Sequence, residues 1–228
     1  MAHKFSQAER SAVYRAIEQR RDVRQFVACD LGEEVLRRLL AAAHAAPSVG
    51  FMQPWDFIVV RDRAVRRKIR DHVLCQKEKA GRHYKNERAE LYQRLKVEGI
   101  LDSSLAIAVT CDSRRGGSVN FGRVTMPQTA RFSVCAAIEN FWLAARAEGL
   151  GVGWVSILEP SWLKTLLNIP RHIEFVALLC VGAAQDFPKE PVLQTAGWRK
   201  RESLEKLVHA ERWGRPYAWG REASEAKR

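Results

Sequence analysis

The sequence predicts an α+β fold, a single domain over residues 1–228 in which helices pack on a mixed sheet around one hydrophobic helix. Three observations carry this. Short β-rich apolar runs alternate with stretches of helical periodicity, not with hairpin turns. Residues 128–148, QTARFSVCAAIENFWLAARAE, are apolar on nearly every side, as a central helix must be. No internal repeat, low-complexity block or Pro/Gly/Ser linker divides the 228 residues.

Taken in order, residues 7–21 are helical, with Val13, Tyr14 and Ile17 on one face. Asp30 is the expected cap of a second helix, whose apolar stripe is Val35, Leu36, Leu39 and Leu40 and which must stop near Pro47. DFIVVRD (56–62) is a strand. The basic region 63–96 is helical with a break near Gly81. SLAIAVTCD (104–112) is a buried strand that runs into a long polar loop, and loops of that length are usually functional. In the central helix, Phe132, Cys135, Ala136, Ile138, Phe141, Trp142 and Ala145 are expected inside, and the glycines of GLG (149–151) end it. VGWVSIL (152–158) is a strand, 161–169 a short helix stopped by Pro170, and 174–182 the last core strand. From Asp186 onward the chain is too poor in periodic apolar residues to build its own core, so 186–228 is expected to lie as an arm on a partner surface.

Composition narrows the class. With 46% hydrophobic and 28% charged residues the chain is globular and large enough to need no disulfide or structural metal. Cys29, Cys75, Cys111, Cys135 and Cys180 are odd in number and form no C-x-x-C pair, which points to a reducing compartment, and Cys111, Cys135 and Cys180 sit in apolar runs as small hydrophobes. The six histidines never pair at ligand spacing, so no metal is expected. No signal peptide and no bilayer-spanning run is visible, and a cytoplasmic protein without a membrane partner follows. The net charge of +12 is concentrated in 61–72 and 77–96, where Lys and Arg alternate with Glu and Asp at helical spacing; this describes solvated helix faces and not a nucleic-acid surface.

Three segments can carry chemistry. RRDVR places Arg20, Arg21 and Arg24 around Asp22; planar guanidinium forks match phosphate oxygens two at a time. Asp22 weakens such a clamp, so it either bridges an arginine at a helix end or serves as acceptor or base. APSVGFMQPW (46–55) sets Ser48 and Gln53 between apolar walls from Phe51, Met52 and Trp55, with Pro47 and Pro54 stiffening the backbone. That describes either a seat for a flat heteroaromatic ligand or an ordinary helix-to-strand connection. In GLGVGWVSIL (149–158) the glycines follow a helix and open a strand, the reverse of a dinucleotide fingerprint. Gly153 instead suggests close approach of backbone to a ligand, and Ser156 is a possible donor.

Together and in this order the three segments resemble the nitroreductase-like flavoprotein superfamily, over about residues 12–208. The resemblance implies a mostly antiparallel sheet and an FMN-binding homodimer with active sites at the subunit interface and an extended C-terminal arm. It implies FMN contacts from Arg20, Arg21, Asp22, Val23, Arg24, Pro47, Ser48, Gln53, Trp154, Val155 and Ser156, with Lys200 or Arg201 of GWRKR (197–201) added at the phosphate. The superfamily pattern has serine where this chain has Asp22, and asparagine where it has Phe51. RRDVR, APSVGFMQPW and NFWLAARAEGLGVGWVSIL are closely similar to a branch that consumes its flavin. In it, reduced FMN and O₂ give 5,6-dimethylbenzimidazole, the lower ligand of vitamin B12, and erythrose 4-phosphate. There, residues matching Asp22 and Ser156 are catalytic.

On that reading Asp22 relays a proton from the ribityl end, Ser156 holds the polar edge of the ring, and the apolar walls with loop 113–127 as a lid exclude water. A flavin reductase is a possible supplier of reduced FMN. Two other readings stay open: an NAD(P)H-dependent nitroreductase or flavin reductase that recycles FMN, and a non-enzymatic basic nucleic-acid or FMN-carrier module.

Overall fold

The computed structural model describes residues 3–117 and 122–219. It divides into two compact units, Met1–Lys189 and Glu190–Arg228. In the first, helices α1 (Gln7–Gln19), α2 (Glu33–His44), α3 (Arg63–Gly81), α4 (Asn86–Arg94), α5 (Thr129–Ala147) and α6 (Pro160–Leu166) surround strands β1 (Phe26–Val27), β2 (Trp55–Val60), β3 (Leu105–Cys111), β4 (Leu150–Val155) and β5 (Glu174–Ala184). Strand β5 is the hub: it pairs antiparallel with β3, β4 and β1, and β2 pairs antiparallel with the far side of β3. The named strands thus form an antiparallel sheet and not the mixed one expected; a single isolated parallel bridge, Asp22 to Val152, lies outside their pairings.

The period of two in β3 and β5 sorts their side chains between two cores. Leu105, Ile107, Val109 and Cys111 join Ala177, Leu179 and Val181 against α2 and α5. Ala106, Ala108, Leu178 and Cys180 face the other way, onto Ile69 and Val73 of α3 and Leu163 of α6. With helices on both faces these strands have no wet side, which is why they read as unbroken apolar runs. Burial pushes the Cys111 thiol up to about 11 and the Cys180 thiol up to about 12, so both are packing groups and not nucleophiles.

Several expectations are corrected. The N-cap of α2 is Gly32, and the Asp30 carboxylate, 3.8 Å from Arg61, caps nothing. Strand β4 ends at Val155, leaving Ser156 exposed beyond it. Phe132 and Cys135 lie on an exposed stripe of α5, whose buried side is Val134, Ala137, Ile138, Phe141 and Ala145. The apolar face of α1 is not covered: Val13, Tyr14 and Ile17 are all exposed, and the helix buries no residue. Gly149 does adopt the left-handed cap, at φ 76°.

With no buried face, α1 depends on its ends. Ser6 accepts from the Glu9 N–H at 3.3 Å while Glu9 accepts from the Ser6 N–H at 2.8 Å, a reciprocal cap. Replacing Ser6 with alanine should cost about 1 kcal/mol locally. Amide exchange across the first turn of α1 should speed roughly fivefold, with little change in global melting.

The second unit, Glu190–Arg228, holds α7 (Val192–Thr195) and a 3₁₀ turn (Leu204–Lys206). Neither element buries a residue, and Trp213 is 90% exposed. Among its described residues, 190–219, none is buried.

Candidate functional site

The RRDVR segment leaves the C-terminus of α1 and runs beside β4. The Val23 N–H donates to the Val152 carbonyl at 2.9 Å, and Val23 is buried. The Trp154 N–H donates to Asp22 Oδ1 at 2.8 Å. Arg24 closes the arrangement, its Nη1 2.8 Å from Asp22 Oδ1, its Nη2 2.6 Å from Oδ2, and Nη2 also 2.6 Å from the Trp154 carbonyl. The carboxylate is thus fixed by both oxygens, and Ser156 follows two residues after the Trp154 amide that holds it.

Asp22 is pulled two ways. Its environment of protein atoms raises its pKa above the ordinary carboxylate value, because desolvation penalises the charged form. The positive charge of Arg24, the Trp154 N–H and, more weakly, Arg20 act against this, and the net direction is upward. About half of the side-chain surface, 47%, still reaches solvent, so a ligand and a proton both have access to it.

Gly153 is where the two segments touch. A Cβ there would stand 2.1 Å from the Val23 carbonyl oxygen and 2.5 Å from Arg24 Nη1. The backbone that closely approaches this glycine is the chain's own RRDVR segment.

The three arginines are not equivalent. Arg21 donates to four backbone carbonyls, those of Glu18, Arg20, Pro188 and Lys189, which makes it a staple between the end of α1 and residues 188–189. Arg24 is committed to Asp22 and Trp154. Among the described residues Arg20 has one ion pair, Nε to Glu139 at 3.3 Å, and lies over the Trp142 ring at 4.9 Å. The Trp142 indole N–H donates in turn to the Arg21 carbonyl at 3.2 Å. Composition and spacing did not single out Glu139, and its place one turn before the flagged Trp142 was the available signal.

The 46–55 segment is a strained turn. Gly50, Phe51 and Gln53 have φ of 59°, 53° and 48°, a region that side chains other than glycine seldom enter. The Ser48 hydroxyl accepts from the Gln53 N–H at 3.0 Å, and the Val49 N–H reaches Ser133 Oγ at 3.2 Å. Met52 and Trp55 are buried in the core, whereas Pro47 and Phe51 are exposed, Phe51 by 80%. The turn's hydrogen bonds run within it, to α5 and to the loop after β3, and among the described residues none reaches RRDVR; the structure joins Asp22, Val23 and Arg24 to β4, and leaves Pro47, Ser48 and Gln53 as a separate rim.

Part of the polar loop after β3 holds that rim in place. Arg115 binds both oxygens of Asp56, at 2.8 and 2.7 Å, and donates to the Gln53 and Trp55 carbonyls at 2.9 and 2.8 Å. Arg123 donates to the Ser113 and Gly117 carbonyls, drawing the loop's two described ends together. Residues 118–121 of the 113–127 loop lie outside the described residues. Replacing Arg115 with alanine should destabilise the chain by about 1–2 kcal/mol in urea unfolding, since an exposed ion pair adds little and the two carbonyl bonds supply most of the loss.

Lys200 and Arg201 are exposed in the second unit, where the Arg201 N–H donates to Gln194 Oε1 at 3.2 Å. Among the described residues no group of three or more His, Cys, Asp or Glu is placed to hold a metal ion, and no helix is long and apolar enough to cross a membrane.

Residues 17–183 match the model of the nitroreductase family. The chain belongs to the nitroreductase family. Within that family it is 44% identical over 182 residues to the 5,6-dimethylbenzimidazole synthase of Rhodospirillum rubrum, covering 80% of this chain and 86% of the relative. The fold is similar to that of a BluB-like flavoprotein of Clostridium difficile 630, at TM-score 0.65 and 20% identity over 88% of this chain and 99% of that one. It is also similar to oxidised iodotyrosine deiodinase bound to FMN and 3-iodo-L-tyrosine, at TM-score 0.67 and 23% identity over 78% and 94% of the two chains.

Proposed function

We propose that this enzyme takes reduced FMN as substrate and, with O₂, fragments it to 5,6-dimethylbenzimidazole and erythrose 4-phosphate, providing the lower ligand of vitamin B12. One observation carries the reading: at a position that in the family pattern holds serine, the chain has a carboxylate, Asp22, fixed by Arg24 and the Trp154 N–H and reachable from solvent. The 44% identity to a relative named for this product supports it.

The donors fit a phosphorylated flavin. Arg20, with one ion pair among the described residues, to Glu139, is the proposed phosphate ligand. Arg21, occupied by carbonyls, holds the segment in shape. Val23, Trp154 and Val155 are proposed to back the ring along β4, with Pro47, Ser48 and Gln53 as the rim of a site shared between two subunits. A homodimer is supported by the apolar side chains left uncovered on one chain, Val13, Tyr14 and Ile17 on α1 and Phe132 on α5.

Bound reduced flavin supplies the electrons that activate O₂. The chain's own task is to move a proton and to keep water out. Asp22, with its raised pKa, is suited to take a proton from a ribityl carbon and pass it on. Arg24 holds the carboxylate on station whichever protonation state it is in, through its second bond to the Trp154 carbonyl. Ser156, exposed at the end of β4, is placed to donate a hydrogen bond to the ligand.

The test is to mix the protein with chemically reduced FMN in air and to assay dimethylbenzimidazole by mass spectrometry. Product formation supports the reading. Oxidised but intact flavin, with turnover only when NAD(P)H and a nitroaromatic are added, would replace it with a flavin-recycling reductase.

A further inference from the structure

A second group of cationic side chains lies elsewhere in the first unit, where the segment after β1, the first turn of α3 and the loop before β3 line an open cleft of about 450 Å³. That is within the range of small-molecule sites. Arg66 lines it and is only 6% exposed. Its Nη1 donates to the carbonyls of Ile100 and Ser103, at 3.2 and 2.7 Å, but its buried Nε has no partner among the described residues. A buried guanidinium N–H left without an acceptor is costly. Among the described residues no carboxylate pairs with Arg66, and burial followed by the positive charge of Arg63 lowers its pKa.

The remaining lining groups sharpen the chemistry. Arg63, on the same wall, is exposed. Of the two acids there, Asp102 pairs with Lys96 at 2.6 Å, and Asp30, 3.8 Å from Arg61, turns almost wholly to solvent. Ser104, also on the lining, donates to the Cys29 carbonyl at 2.8 Å. Among the described residues neither Arg63 nor Arg66 forms an ion pair, and the two guanidinium groups line, together with Asp30 and Asp102, a space large enough for a small organic molecule.

We propose that this cleft binds a small oxyanion, the phosphate or carboxylate group of a metabolite, between Arg63 and Arg66. The site is separate from Asp22 and does not rest on the flavin reading.

The protein is first saturated with FMN, so that the flavin's own phosphate site is filled, and is then titrated with sodium phosphate or sodium acetate against sodium chloride at matched ionic strength. Melting temperature and calorimetric heat are followed. A saturable response to phosphate or to acetate beyond chloride is expected, and the stronger anion names the source. Arg63→Ala, an exposed change that leaves the fold alone, should weaken that response about tenfold, the scale of one charge-assisted hydrogen bond. Arg66→Lys should weaken it comparably while keeping a positive charge. No saturable response in the parent protein, or one unchanged in Arg63→Ala, overturns the proposal and leaves Arg66 as a structural tie to the Ile100–Ser103 loop.

Discussion

Asp22→Asn should lower dimethylbenzimidazole formation by at least about a hundredfold, the scale of losing a positioned proton-transfer group, while FMN still binds. Asparagine is nearly the same size, and its carbonyl can still accept the Trp154 N–H. Its amide NH₂, however, turns a donor toward Arg24, so one of the two Arg24 contacts is lost along with the base. The pH profile separates the two effects. The folded-state pKa of Asp22 lies above the ordinary 3.8, so the acid limb of the wild-type rate should fall above that value, with activity rising as the carboxyl deprotonates. The variant's residual rate should lack this limb. The stability sign runs the other way from that of a typical ion-paired aspartate. Because folding favours the protonated form, the contribution of Asp22 is full below 3.8 and declines as pH rises through the raised value. Stability of wild type relative to the variant should therefore be greatest in acid. A variant that fragments flavin at the wild-type rate would remove Asp22 from the reaction.

The role proposed for Asp22 draws on a local anomaly of the sequence, one acid among three arginines in five positions. The geometry that fixes its carboxylate was not legible there, since Arg24 meets the Trp154 carbonyl across 130 positions of sequence. The same contrast holds for the fold. β3, α5 and β5 are legible because strands covered on both faces and a central helix must be apolar throughout. The two residues of β1 are invisible because pairing with Ala183 and Ala184, not their own propensity, makes them a strand. The cap of α2 was misplaced because Asp is the better capping residue, yet the chain enters the helix at Gly32 with no side-chain cap at all. Phe132 and Cys135 were assigned to the core since an apolar pattern cannot distinguish a buried face from one left for a partner. Arg115 and Asp56 carry no mutual signal, being 59 positions apart.

Gly153→Ala should be the most damaging single-methyl change in the chain. The new Cβ would meet a backbone carbonyl oxygen, that of Val23, at 2.1 Å, and backbone cannot swing aside as a side-chain tip can. Relief requires moving residues 22–24 off β4, which breaks the 2.9 Å bond from the Val23 N–H to Val152 and the Trp154 bond to Asp22. Overpacking of this kind costs about 1–3 kcal/mol, with the lost bonds adding to it. A shift of about 1 Å in Asp22 should by itself cost on the order of a hundredfold in rate. Gly151→Ala is the control on the same strand: its Cβ would meet Val23 side-chain atoms at 2.9–3.0 Å and not a backbone oxygen at 2.1 Å, a milder overlap. Urea unfolding and product assays on the two variants should rank Gly153→Ala far below Gly151→Ala in both stability and turnover. Equal behaviour would mean that contact between RRDVR and β4 does not set the position of Asp22.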